Sequence, residues 1–209
     1  MRAAFLLLLL FPAAARAGVL VATVTDQKNN PIEGAVVYVK GKLGKPASTP
    51  AEAVMDQVDM QFKPYILPVL VGTRVQFPNK DQVHHNLYSF SKTKSFELPL
   101  YKGTEAAPVL FDQPGVVKMG CNIHDWMSGY VVVLENPHYA VTDASGVARF
   151  TAPNGAREVA VWSDRLKGPI GPVKTAVVGA ETTTKMAFKI DAKPKVRRDV
   201  GSNRIPKYE

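Results

Sequence analysis

Four side chains with soft or imidazole donors stand where one loop and one strand end could bring them together. Cys121, His124 and Met127 are spaced i, i+3 and i+6 in the run Cys-Asn-Ile-His-Asp-Trp-Met. A β-rich stretch at 116–120 precedes this run and Gly129 with another at 130–134 follows it, so the run reads as a loop between two strands. Such a loop can wrap three side chains about one point. Thiolate plus imidazole suits copper or zinc. A Met is a poor zinc ligand but an ordinary weak axial ligand in a His2Cys copper site. That site needs one more histidine, and the segment 79–89 offers His84 and His85. His85 directly precedes Asn86 and a strand, whereas His84 points to the opposite face if the strand register begins there. His85 is therefore the expected ligand, and His84 is a surface residue or one behind the site. His138, beside Pro137, reads as a surface histidine.

Cys121 is the one cysteine of the chain. In an ordinary apolar strand it would read as a small buried hydrophobe. Its compartment argues otherwise. Met1 and Arg2 are followed by an apolar stretch at 3–11, then Pro12 and Ala15-Arg16-Ala17, the pattern of a secretory signal cleaved after Ala17. The stretch is too short to span a bilayer, which takes roughly 20 apolar residues, and no later segment approaches that length. The chain is thus expected to be exported, periplasmic and soluble after loss of residues 1–17, with no integral membrane segment. In an oxidising compartment a lone thiol needs burial or a ligand.

With 209 residues, 46% hydrophobic and 21% charged, the chain can bury a real core and is neither disordered nor a polytopic membrane protein. The formal charge of +8 suggests nucleic acid, but its placement does not. Two arginines leave with the signal, and Lys193, Lys195, Arg197, Arg198, Arg204 and Lys207 crowd a tail, 192–209, without apolar periodicity. That tail reads as a disordered, solvated end, with contact to an acidic partner as the alternative. No basic face is interleaved with aromatics, so nucleic-acid binding is not expected.

The pattern is β throughout. Segments 19–25 and 35–40 flank the turn formers 26–31 and read as a hairpin. Residues 45–51 read as a linker, and 50–55 could make one helical turn. Strands are expected at 58–62, 66–71, 74–77, 86–90, 96–98, 109–111, 116–120 and 130–134. After Glu135-Asn136-Pro137 they resume at 139–142, 147–152, 158–163, 173–178 and 183–190. Short strands at regular spacing indicate an all-β sandwich or barrel.

Residues 58–135 resemble the cupredoxin family, the blue copper proteins. The resemblance rests on Phe77-Pro78-Asn79-Lys80-Asp81 ahead of His85-Asn86, on Asp112-Gln113-Pro114-Gly115, and on C-x2-H-x2-M at Cys121, His124 and Met127. The short ligand loop is similar to that of amicyanin-like members. Met119 departs from the pattern, because many members carry an aromatic there. The resemblance implies a Greek-key β-sandwich over 52–135 holding one copper, with His85, Cys121 and His124 in a trigonal plane and Met127 as the long axial ligand. It also implies that Asn86 supports the ligands by tying the two ligand segments. Ile123 and Trp126 would supply an apolar surface toward a redox partner, core packing being the equal alternative for Trp126.

Thr23-Val24-Thr25-Asp26 through Asn30-Pro31-Ile32-Glu33-Gly34-Ala35, with Val141-Thr142-Asp143-Ala144-Ser145-Gly146, resembles a carboxypeptidase-regulatory-like β-sandwich. Residues 18–44 and 136–191 would form that domain, split by the copper domain. The layout also resembles exported cupredoxins labelled methylamine-utilisation proteins, although no residue assigns methylamine chemistry. The expected function is periplasmic one-electron transfer with a redox protein partner, and not enzymatic catalysis. Copper delivery or sequestration through the same ligands is the alternative. A Cys121–His124 catalytic dyad would leave His85 and Met127 without use.

Overall fold

The computed structural model describes residues 17–43, 51–169 and 171–195. These are all-β, in five sheets, and hold no helix among the described residues. No described helix is long and apolar enough to cross a membrane. Residues 1–16 of the expected signal (1–17), most of the linker (45–50) and the tail beyond 195 lie outside the described residues; Ala17 opens β1.

One pair of sheets is built from the two ends of the chain. Strict alternation buries Gly18, Leu20, Ala22 and Val24 on one face of β1 (Ala17–Thr25). β1 lies between β14 (Val147–Pro153), antiparallel, and β17 (Thr183–Lys189), parallel. The facing sheet has the order β13 (Tyr139–Val141), β2 (Val36–Val39), β15 (Gly155–Trp162), β16 (Val173–Val178). The hairpin expected from 19–25 and 35–40 does not form, because β1 and β2 belong to opposite sheets. The connection crosses the core. Asp26 Oδ1 accepts the N–H groups of Lys28 (2.8 Å) and Asn30 (2.9 Å). Thr142 Oγ1 then accepts the Ala35 N–H (2.8 Å) and donates to the Ile32 carbonyl (2.6 Å), with Ile32 and Ala35 fully buried. Apolar residues here demand the core, so the segment cannot turn back along a sheet edge. At the other end the pairing runs past residue 191: Ala192 bridges Leu166, and the Lys193 N–H donates to Arg165.

Between these ends the chain forms a second β assembly with its own core of Phe62, Val75, Leu87, Phe111, Val117, Met119, Cys121, Met127 and Val131. Five strands run in the order β6 (Ile66–Leu70), β12 (Ser128–Leu134), β11 (Gly115–Gly120), β8 (His85–Ser91), β9 (Lys94–Tyr101). Three more run β10 (Val109–Phe111), β7 (Thr73–Gln76), β3 (Glu52–Val54). The helical turn considered at 50–55 is replaced by β3, which pairs in parallel with β7. The single strand expected at 58–62 is a hairpin of β4 (Asp56–Val58) and β5 (Gln61–Lys63), turned by Asp59 and Met60 at φ 57° and 54°. Two successive left-handed residues make the hairpin turn whose twist matches its strands.

β12 is buried on both faces, which accounts for its unbroken run Val131–Leu134. Val131 and Val133 enter the core under the ligand loop. Val132 and Leu134 pack with Val36 between the two assemblies, flanked by Tyr38, Ile66, Tyr139 and Trp162. The Tyr130 and Trp162 rings stand 5.1 Å apart across this seam. Asn136 Nδ2 donates to the carbonyls of Val39 (2.8 Å) and Gly41 (2.7 Å). The chain therefore leaves the first assembly and returns to it at one place.

Candidate metal centre

The site is made where β8 begins and β11 ends. β11 pairs with β12 along its whole length, so the loop 121–127 between them starts and stops at fixed points. The Cys121 N–H donates to the Met127 carbonyl (3.2 Å) and the Met127 N–H to the His124 carbonyl (2.8 Å), which curls the loop over its own start. β8 brings His85 alongside. A register shift on β9 between the partners of His85 and Leu87 spans Pro99–Leu100, and Pro99 has no N–H to give to a ladder. It sets Tyr101 opposite His85.

His85 Nδ1 and His124 Nδ1 stand 3.1 Å apart, and Cys121 Sγ is 3.9 Å from the first and 3.7 Å from the second. One point inside this triangle lies about 2.1 Å from all three atoms. That is the length of a metal–imidazole bond, and slightly short of the roughly 2.3 Å usual for zinc–thiolate. The donor spacing thus fits one ion. These are the three residues of the described chain that group as candidate metal ligands. His85 is fully buried, Cys121 and Met127 are buried in the core beneath the loop, and His124 is half-buried.

The surroundings favour an ionised sulfur. Burial pushes the Cys121 thiol up, but the His85 ring and the N–H groups of Ile123 and Asn86 outweigh it and hold the thiol below its ordinary value. Burial pulls His85 down, yet Cys121 and Asp81 carry it above the ordinary imidazole range. His124 is lowered by burial and then by the charge of His85. Asn86 Oδ1 accepts the Asn122 N–H (2.9 Å) and lies 3.6 Å from Sγ, so its amide joins the β8 end to the ligand loop. Tyr101 closes the floor. Its hydroxyl donates to the Phe77 carbonyl (2.5 Å) and accepts from Gln57 Nε2 (2.6 Å), and burial pushes it up to about 12.

Three of the expected ligand residues, His85, Cys121 and His124, therefore come together, Met127 is buried in the same core, and His84 is exposed one position away. His138 stands apart with Nδ1 2.9 Å from the Thr151 carbonyl. Trp126 is 44% exposed and Ile123 52%, so core packing does not account for Trp126, whose ring centre is 5.4 Å from that of His124. Sequence reasoning gave no role to Asp81, Tyr101 or Gln57. Asp81 lies within the motif quoted above, but only the folded loop shows that its carboxylate reaches His85 Nε2 (2.8 Å).

The two adjacent histidines separate the assignment sharply. His85→Ala should alter the visible spectrum of the metal-loaded protein strongly. His84→Ala should leave it unchanged, with stability within about 0.5 kcal/mol of the parent, as for surface substitutions. The opposite ranking would move the ligand by one residue.

No family model matches this chain, and no curated protein matches it. Among solved structures it is similar to a purple cupredoxin from Nitrosopumilus maritimus, 28% identical over 40% of this chain and 98% of that one, with a TM-score of 0.35. It is also similar to the reduced state of an amicyanin mutant, 25% identical over 46% of this chain and 97% of that one, TM-score 0.36. An oxidised amicyanin mutant aligns at 24% identity over 46% and 97%, TM-score 0.37.

Proposed function

We propose that the chain is an exported type 1 copper protein that carries single electrons, with one copper per chain held by His85, Cys121, His124 and, axially, Met127. The observation that carries this reading is the Nδ1–Nδ1–Sγ triangle, sized for one ion, with two of its three residues buried and a buried thioether three residues beyond the third. Thiolate with two imidazoles and a weak axial sulfur is the donor set of blue copper, not of structural zinc. Bound there, copper would supply the one-electron couple. The chain supplies the rest. Loop hydrogen bonds and the Asn86 tie hold the donors, so little has to move between oxidation states. The core under Met127 keeps water out, and half-buried His124 with Ile123 and Trp126 gives a redox partner an apolar place to approach. In the same reading residues 52–135 are the copper domain, inserted between 18–44 and 136–191 of a second sandwich.

Chemical cycling tests the role. The copper-loaded protein should take up and release one electron per chain repeatedly while keeping its metal against a competing Cu(I) chelator. Loss of copper to the chelator in the first reduction would instead mark a delivery protein.

Met127 should tune the centre without creating it. Met127→Leu removes a weak axial donor whose electron density stabilises Cu(II) and leaves an apolar side chain of similar volume, a swap that costs under about 1.5 kcal/mol in a core. Copper and the thiolate band should remain and the reduction potential should rise. Complete loss of copper in this variant would contradict an axial role.

A further inference from the structure

Asp81 is a carboxylate that touches the donor set, and its other contacts lead away from the site to the β4–β5 hairpin. Its Oδ2 lies 2.8 Å from His85 Nε2 and also accepts the Met60 N–H (2.9 Å), while Oδ1 accepts the Asp59 N–H (2.7 Å). The His85 ring is fully buried with Nδ1 turned to Cys121 and His124, so a proton on Nε2 points at Asp81. The hairpin turn is one that a sequence would not choose unaided. Asp59 and Met60 both stand at positive φ, where Asp is tolerated and a long unbranched side chain is uncommon. Their two N–H groups converge on a single carboxylate, which holds the turn in that shape.

The segment carrying Asp81 is itself fastened. Its N–H donates to Oδ1 of buried Asn79 (2.9 Å), whose Nδ2 donates to the carbonyls of Val83 (2.8 Å) and Tyr101 (3.0 Å). The Lys80 N–H donates to Gln57 (2.9 Å), and Lys80 Nζ meets Asp56 Oδ2 at 2.7 Å. Both Gln57 and Asp56 lie in β4. Loop and hairpin thus grip each other through Lys80 and Asp81, and Asp81 also reaches His85.

We infer that Asp81 is a positioning residue that fixes the tautomer and ring orientation of His85, with the β4–β5 turn as its outer support. This rests on the copper reading above. A carboxylate behind a ligand imidazole makes it a better donor, and losing such a partner typically lowers metal affinity about 10–100-fold. Asp81→Asn keeps the size of the side chain but removes its charge. Cu(II) should therefore bind about 10–100-fold more weakly and the reduction potential should rise, because the more electron-poor His85 stabilises Cu(II) less. Asp81→Glu, which restores the charge, should recover part of the potential shift, which a merely structural role would not do.

A second readout needs no metal. In the metal-free full chain, nitrogen-15 NMR should show a slowly exchanging proton on His85 Nε2. In Asp81→Ala that proton should exchange fast, together with the amides of Asp59 and Met60. Copper affinity and potential unchanged in Asp81→Asn, with Cys121→Ala still abolishing the thiolate band, would overturn the clamp and leave the copper reading standing. If the parent protein takes up no copper, the copper reading falls, and the His85 Nε2 proton alone decides the clamp: protonation at Nδ1 instead would overturn it.

Discussion

Cys121→Ala should abolish the intense thiolate-to-Cu(II) absorption completely and leave a colourless or weakly tinted protein. The effect is expected to be total because Cys121 is the sole sulfur anion the chain can offer, and it forms one corner of the donor triangle. Two imidazoles and a thioether would remain, able to hold copper weakly but without the ligand from which the charge transfer starts. The fold should survive. Cys121 is a small side chain in a core that keeps its larger members Phe111, Leu87 and Met127, so the metal-free variant should unfold cooperatively near its parent. An absorption band persisting in Cys121→Ala would remove the thiolate from the site.

The second large effect concerns the division of the chain. Truncation after Glu135 deletes β13 to β17, and with them every sheet neighbour of β1 and of β2. Strands without partners are not stable in water, so residues 17–43 should become freely exchanging and protease-sensitive. Residues 51–135 keep ten strands, their own core and all four proposed ligands. Expressed alone they should fold and bind copper with the parent spectrum. Their stability should fall by a few kcal/mol, because Val132 and Leu134 lose their cover from Val36 and Trp162 and a buried aliphatic side chain contributes about 1.5–3 kcal/mol. The complementary protein, with 52–135 replaced by a short Gly/Ser linker, should also fold, since Asn136 already bonds Val39 and Gly41. Should that protein be unfolded while each terminal piece folds by itself, the split-sandwich proposal is wrong.

Much of the centre is legible in the residues because its chemistry is compressed into a seven-residue loop and one His-Asn step. Donor types limit the metal, spacing limits the loop, and period-2 alternation separates His85 from His84. What the sequence hides is non-local. The path 26–35 carries hairpin-like turn residues, yet Ile32 and Ala35 draw it across the core, so β1 and β2 part. The β4–β5 turn has no Asn-Gly signal, because Asp81, more than twenty residues downstream, supplies the partners that its backbone needs. The same distance hides the role of Asp81 toward His85. Trp126 could not be placed from its neighbours, since a loop between apolar strands can turn such a ring either way; its exposure beside His124 is a property of the folded loop.

The most direct measurement is a Cu(II) titration of the metal-free protein followed by visible absorption and electron paramagnetic resonance. The donor triangle predicts saturation at one copper per chain, an intense charge-transfer band, and the small copper hyperfine splitting of a metal whose unpaired electron is shared with a thiolate. Binding of copper with the large splitting and faint colour of an all-nitrogen and oxygen site, or no stoichiometric binding at all, would contradict it.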